Sequence, residues 1–206
     1  MGQKLTREDR RQQLLAMAKI IAREEGVDAL TLGRLAERSG VSKPVTYDHF
    51  GTREGLLIEL YRGIDEAQVQ ALRTALSRGA TKLDEVARAI GECYMSCSLT
   101  LGGEWHAIAA ALQGSEAMER IQRELIDKYV ALYAKALAPF TGLRGEDLRL
   151  RCVGIHGAAE SIAREISLGR AGQSRATAAL QALILGSLEP NVTSRPTKAR
   201  SAKAQR

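Results

Sequence analysis

The sequence is poor in the features that mark most other classes of protein. Four prolines in 206 residues leave little to interrupt helices. No stretch shows the period-two alternation or the Val/Ile/Thr/Tyr clustering of strands. No apolar run approaches the roughly 18 residues of a membrane span, so a transmembrane helix is not expected. The opening residues, Met-Gly-Gln-Lys-Leu-Thr-Arg-Glu-Asp-Arg-Arg, lack the apolar core of a signal sequence. Three cysteines, an odd number, then suit a reducing compartment, and the expected location is cytoplasmic. A Gly-rich phosphate loop, a nucleophile elbow and a His-Glu-x-x-His pair are all missing, so no enzyme is expected, and no cofactor.

The net charge of +6 says less than its distribution. Residues 190–206 hold five basic and no acidic side chains, whereas 64–189 carry a net charge of −1. The high pI belongs largely to this tail, which has almost no apolar bulk and reads as disordered. Overall charge is therefore weak evidence for nucleic-acid binding, and local arrangement has to carry that case.

What is abundant is Ala, Leu, Glu and Arg, the residues of helices. An all-α fold is expected. Thr6 suits the start of a helix over 7–25, with Leu14, Leu15, Ala18, Ile21 and Ala22 on one face. Residues 31–50 then read as two short helices around a tight turn. Thr31 suits the cap of the first, and Leu32, Leu35 and Ala36 line one of its faces. Gly40 suits a left-handed backbone at its end. Ser42 suits the cap of the second, with Pro44 in its first turn. Such a pair is a helix-turn-helix, whose second helix fits the DNA major groove. The same pair can also be an αα-corner in an ordinary helical protein. Thr52 starts a long helix over 53–78, a rigid connector. Further helices are expected over 82–101, 104–113, 115–138, 146–168 and 173–188.

Residues 14–57 resemble the DNA-binding domain of the TetR family of bacterial transcriptional regulators. The resemblance rests on Leu14-Leu15, Ala18, Glu25-Gly26, Leu35-Ala36, the run Val41-Ser-Lys-Pro-Val-Thr-Tyr-Asp-His-Phe50, and Arg53-Glu54 with Leu56-Leu57. Three positions depart from the family. Ala22 stands where a large aromatic is usual, Gly33 lies inside the second helix, and Thr46 replaces an aliphatic residue beneath the recognition helix.

The resemblance implies an N-terminal three-helix helix-turn-helix domain, 1–52, and a larger helical effector-binding and dimerisation domain, 53–189, ahead of the tail at 190–206. It implies DNA contacts from Thr31, Ser42, Lys43, Pro44, Val45, Tyr47, His49 and Arg53. Asp48 either reads a base, repels wrong sites or pairs with a nearby arginine. It implies a homodimer through the last two helices. There, small residues Gly154, Gly157 and Ala158, with Ile162, Leu180, Leu183 and Ile184, are the candidate interface. It implies an effector cavity among the middle helices. Candidates are Tyr94, Met95, Cys97, Trp105, His106, Met118, Tyr129, Tyr133, His156 and Glu160, a mix that suits a largely apolar ligand. Each of these also fits an ordinary core position. Cys93 and Cys97 lie four apart on one helix, as small hydrophobes or as a thiol switch, and no metal site is expected.

The reading that follows is a homodimeric regulator, a repressor of a palindromic operator released by a small molecule. The alternatives are a constitutive DNA-binding protein without ligand, and an all-helical carrier or enzyme with His106 and Glu160 as an acid–base pair.

Overall fold

The computed structural model describes residues 5–77, 79–101 and 104–188, and their side chains except over 98–106. The basic tail lies outside the described residues. Nine α-helices and no strand occur among them: α1 Arg7–Glu24, α2 Leu32–Ser39, α3 Lys43–Phe50, α4 Arg53–Leu76, α5 Leu83–Leu101, α6 Glu104–Ala111, α7 Glu116–Leu137, α8 Gly145–Ser167 and α9 Gln173–Leu188. Every expected helix is present, with ends shifted by two residues or fewer. Two single turns of 3-10 helix, Val27–Ala29 and Ala138–Phe140, were not expected.

Caps set the helix starts. Thr6, Thr31, Thr52 and Ser115 each accept from a backbone N–H three residues on, satisfying a donor that the helix leaves open. Ser42 occupies the corresponding place before α3 but makes no such bond, so that expectation is corrected. Pro44 presets the first turn there instead. Gly40, at φ 65°, ends α2 in the left-handed region, and Val41 N–H returns to the Ala36 carbonyl at 3.0 Å.

Two apolar cores meet along α4. One gathers Leu14, Ile21, Leu35 and Phe50 from α1–α3 with Leu56, Leu57, Leu60 and Ile64 of α4, then Ile108 of α6 and Met118, Ile121 and Leu125 of α7. The other joins Val69 and Leu72 of α4 to α5, α8, α9 and the second half of α7. Both cores are long rows of aliphatic contact, the main favourable term in folding.

α5 and α9 approach closely at Gly91. A Cβ there would lie 3.2 Å from the Thr177 carbonyl oxygen. Gln181 Nε2 adds a hydrogen bond of 2.7 Å to Asp84 Oδ1 across the same pair.

Candidate nucleic-acid interface and effector cavity

The helix-turn-helix is held by polar bonds that composition does not reveal. Glu25, at the end of α1, receives both Arg34 Nε at 2.8 Å and Arg34 Nη2 at 3.1 Å, and pairs with Arg38. Arg38 also reaches Glu24 at 2.8 Å. The Arg34 guanidinium holds the Glu25 carboxyl below its usual range. These pairs fix α2 against α1.

Thr46 fixes α3 against α2. Its side chain is fully buried, and its hydroxyl lies 3.0 Å from the Leu32 carbonyl and 2.9 Å from the Lys43 carbonyl. An aliphatic side chain would fill that space, but only a hydroxyl can also bond the neighbouring helix. The departure at Thr46 therefore has a physical use. A Cβ at Gly33 would lie 3.7 Å from Lys43 Cε, an ordinary contact, so the packing there does not require glycine.

With α3 so held, Lys43, Pro44, Tyr47 and Asp48 point to solvent. Tyr47 is 55% exposed, high for a large aromatic. Thr31 and Ser42 are exposed beside them. Asp48 takes the arginine option: Arg7 Nη2 lies 3.4 Å from its Oδ2. Val45 is half-buried and packs on the core below, leaving part of its surface to the outside. His49 is half-buried beside Phe50.

Arg53 is turned inward. Its Nε donates to the Leu30 carbonyl and its Nη2 to the Val27 carbonyl, both at 2.8 Å. The guanidinium thus clamps the α1–α2 connection to the start of α4, a use that the sequence did not signal. Gly55 was also missed. A Cβ there would lie 2.2 Å from the Phe50 carbonyl oxygen, so the α3–α4 turn closes only over a glycine.

A second site lies between α4, α5, α7 and α8. Tyr61, Asp65 and Gln68 of α4, Tyr94 of α5, Gln122 and Tyr129 of α7, and His156 and Glu160 of α8 line a cavity of about 120 Å³. Tyr129 and His156 stack at 4.8 Å between ring centroids, and Tyr94 meets His156 edge-on at 6.0 Å. The Tyr129 hydroxyl donates to Gln68 Oε1 at 3.0 Å. Burial pushes the His156 imidazole down to about 4 and the Asp65 carboxyl up to about 6.

Of the ten expected cavity residues, Tyr94, Tyr129, His156 and Glu160 line it. Tyr133 packs behind, 6.4 Å from the His156 ring. Met95 and Met118 are buried in separate cores and line no part of it. Cys97 is half-buried elsewhere on α5, beside Cys93. The side chains of Trp105 and His106 lie outside the described residues. Tyr61, Asp65, Gln68, Gln122, Leu125 and Ile126 were missed. The lining carries two carboxylates and two amides beside three tyrosines, Leu125 and Ile126, so it is more polar than expected.

On α8 and α9, Gly154, Gly157 and Leu183 face outward, Leu183 at 52% exposure, and Ala158 and Ile162 are half-buried. Leu180 and Ile184 are fully buried within the chain's own core. They are corrected from interface to core, because α5 and α8 already cover them.

An exposed recognition helix on a braced platform, continuous through α4 with a larger helical body, is the architecture of a DNA-binding transcriptional regulator. Comparison with known proteins is specific about its kind. Residues 14–60 match the family model described as bacterial regulatory proteins, tetR family. The HTH-type transcriptional activator FasR of Mycolicibacterium smegmatis is 38% identical over 81 residues, 35% of each chain, so the match spans about a third of that relative's length. A transcriptional regulator from Pseudomonas aeruginosa PAO1 superposes with a TM-score of 0.75 at 20% identity, over 89% of this chain and 92% of that one. The multidrug binding protein EbrR, complexed with imidazole, superposes with a TM-score of 0.66 at 20% identity, over 85% and 94%. The two structural likenesses show the fold alone. Residues 14–60 are thus similar to the DNA-binding segment of the tetR family of bacterial regulatory proteins, and the chain over most of its length shares the fold of these structures.

Proposed function

We propose that the chain acts as a homodimer that represses transcription from a palindromic operator and releases it when a small molecule occupies the cavity beneath α4. The observation that carries this reading is the continuity of α4. Leu56, Leu57 and Leu60 are packed into the core of the helix-turn-helix, while Tyr61, Asp65 and Gln68 of the same helix line the cavity. A ligand that favours one setting of α4 over another then biases the recognition helix.

In this reading Lys43, Pro44 and Tyr47 enter the major groove, where lysine can donate to guanine and apolar groups meet thymine methyls. Thr31, Ser42, His49 and the start of α4 meet phosphates. The outward faces of α8 and α9 around Gly154, Gly157 and Leu183 pair with those of a second copy. Exposed leucine among small residues on two adjacent helices supports this, since such a patch favours burial. The ligand-bound EbrR neighbour supports the effector.

The test is selection of bound fragments from random DNA, with Tyr47→Ala as control. A palindrome is expected, with half-sites about one helical turn apart. Tyr47→Ala should lose the enrichment and sediment as a dimer. A folded dimer that enriches no palindrome overturns the reading. Activation is the second reading, favoured by the likeness to FasR, which is named an activator. A reporter carrying the selected site separates the two: adding the protein lowers expression under repression and raises it under activation.

A further inference from the structure

The cavity beneath α4 contains a carboxylate without a counter-ion. Asp65 is 2% exposed, and its Oδ2 has no hydrogen-bond partner. A carboxylate so placed is costly unless something pairs with it.

The groups around Asp65 do not provide the pair. On α4 itself Tyr61 and Glu66 flank it. On α5 stands Tyr94, and on α8 stand His156 and Glu160. α7 presents Tyr129, which hydrogen-bonds the Asp65 carboxyl but brings no charge, and Lys128 on the solvent side of the same helix acts only through space. Among the described residues no Lys or Arg forms an ion pair with Asp65 or Glu160. His156 is the nearest basic group to Glu160, at 3.9 Å. Burial holds that imidazole neutral near pH 7.

The polar part of the lining is therefore negative or electron-rich: two carboxylates, the faces of Tyr94 and Tyr129, a neutral imidazole with an unpartnered Nδ1, and amide oxygens, with Leu125 and Ile126 supplying an apolar wall. Aromatic faces and carboxylates together form the recognised environment of an organic cation. No group of three metal-type ligands occurs among the described residues, which argues against a metal ion as the cation. The size is also restrictive. About 120 Å³ lies well below the roughly 300 Å³ at which drug-sized ligands begin.

We propose that this cavity binds a small organic ammonium ion, its charged nitrogen between Asp65 and Glu160 and its hydrocarbon against Tyr94 and Tyr129. The inference rests on the effector reading and names the ligand class for it. It replaces the apolar ligand expected from sequence with a charged one. Asp65 supplies the buried charge, while Glu160, half-exposed at the rim, draws the cation in. The ammonium gives Asp65 the counter-ion that the fold withholds. Binding then depends on pH through Asp65, because protonating it removes the charge that the ligand seeks.

The test uses three compounds with one carbon skeleton: 3-methylbutylamine, 3-methylbutanol and 3-methylbutanoate, titrated calorimetrically into the full chain. The amine should bind at least tenfold more tightly than either of the others at pH 7.5. Its affinity should fall severalfold by pH 5, and Asp65→Asn should lower it at least tenfold and flatten the pH profile. Should Asp65→Asn fail to fold, Glu160→Gln serves in its place, with a severalfold loss expected. Equal binding of the alcohol or the carboxylate overturns the proposal, as does full affinity in the variant or no binding of any of the three. Operator release by an uncharged compound, measured in parallel, would overturn the ligand class and leave the effector reading standing.

Discussion

Gly55→Ala is the sharpest test of how the recognition helix is held. A Cβ at position 55 would lie 2.2 Å from the Phe50 carbonyl oxygen and 3.4 Å from the carbonyl carbon. The oxygen contact is more than an ångström too short, and the obstacle is backbone, which cannot rotate away. Either the end of α3 lifts, pulling Phe50 from its place in the core beside Leu56 and Leu57, or the first turn of α4 opens and loses the Thr52 cap on Gly55 N–H. Overpacking costs about 1–3 kcal/mol and a lost cap about 1 kcal/mol. The gain in helix propensity returns about 1 kcal/mol, so the net loss by either route is up to about 2 kcal/mol.

Gly63→Ala supplies the control within the same helix, since a Cβ there meets nothing within 4 Å. It should gain up to about 1 kcal/mol. For a chain of this size each kcal/mol moves Tm by about 2–4 °C. Thermal unfolding followed by circular dichroism should therefore move the two variants in opposite directions. Operator binding, measured well below either Tm, should fall tenfold or more for Gly55→Ala, because a tilted α3 misplaces Lys43 and Tyr47 together. Equal stability of the two variants, with operator binding intact in both, would refute the reasoning.

Two further expectations concern buried polar groups. Folding lowers the His156 pKa from 6.5 to about 4, so its contribution is lost as pH falls through that interval. Folding raises the Asp65 pKa from 3.8 to about 6, so the folded state takes up that proton first and its contribution is lost as pH rises. The two slopes oppose each other between about pH 4 and 6. Urea midpoints against pH should show Asp65→Asn weakening toward acid and His156→Gln strengthening, and identical slopes in both would contradict the assignment. Thr46→Val keeps the shape and removes the hydroxyl. A loss of about 1 kcal/mol is expected by urea unfolding, with weaker operator binding, and unchanged binding would show that α3 is held without that bond.

Helix positions were legible because their signals are local. Thr6, Thr31 and Thr52 cap where a capping residue precedes an apolar row, and Gly40 ends α2 in the left-handed region. The turn Val27–Ala29 was not legible, since three residues carry no period. Arg53 illustrates a different limit. Its charge suggested a phosphate, yet its partners are carbonyls 23 and 26 residues earlier in the chain, which only the fold brings near. α9 reads as apolar nearly all round, and its division into an inner row through Leu180 and Ile184 and an outer face at Leu183 is set by α5 and α8. Asp65 did leave a trace. It interrupts the row Leu57, Tyr61, Val69 and Leu72 at helical spacing on α4, a buried acid on an apolar face.

The place of that acid connects the two halves of the molecule. Residues of α4 up to Ile64 belong to the core shared with α1–α3, and those from Val69 onward to the core shared with α5, α8 and α9. Asp65 sits at the junction, where neither core supplies a counter-ion. In the proposed mechanism, a ligand that meets the Asp65 charge at this junction would bias the setting of α4. Coupling between a cavity and a distant recognition helix requires a ligand with different affinities for two arrangements. Under the proposed mechanism, a buried charge whose compensation differs between two settings of α4 would supply that difference.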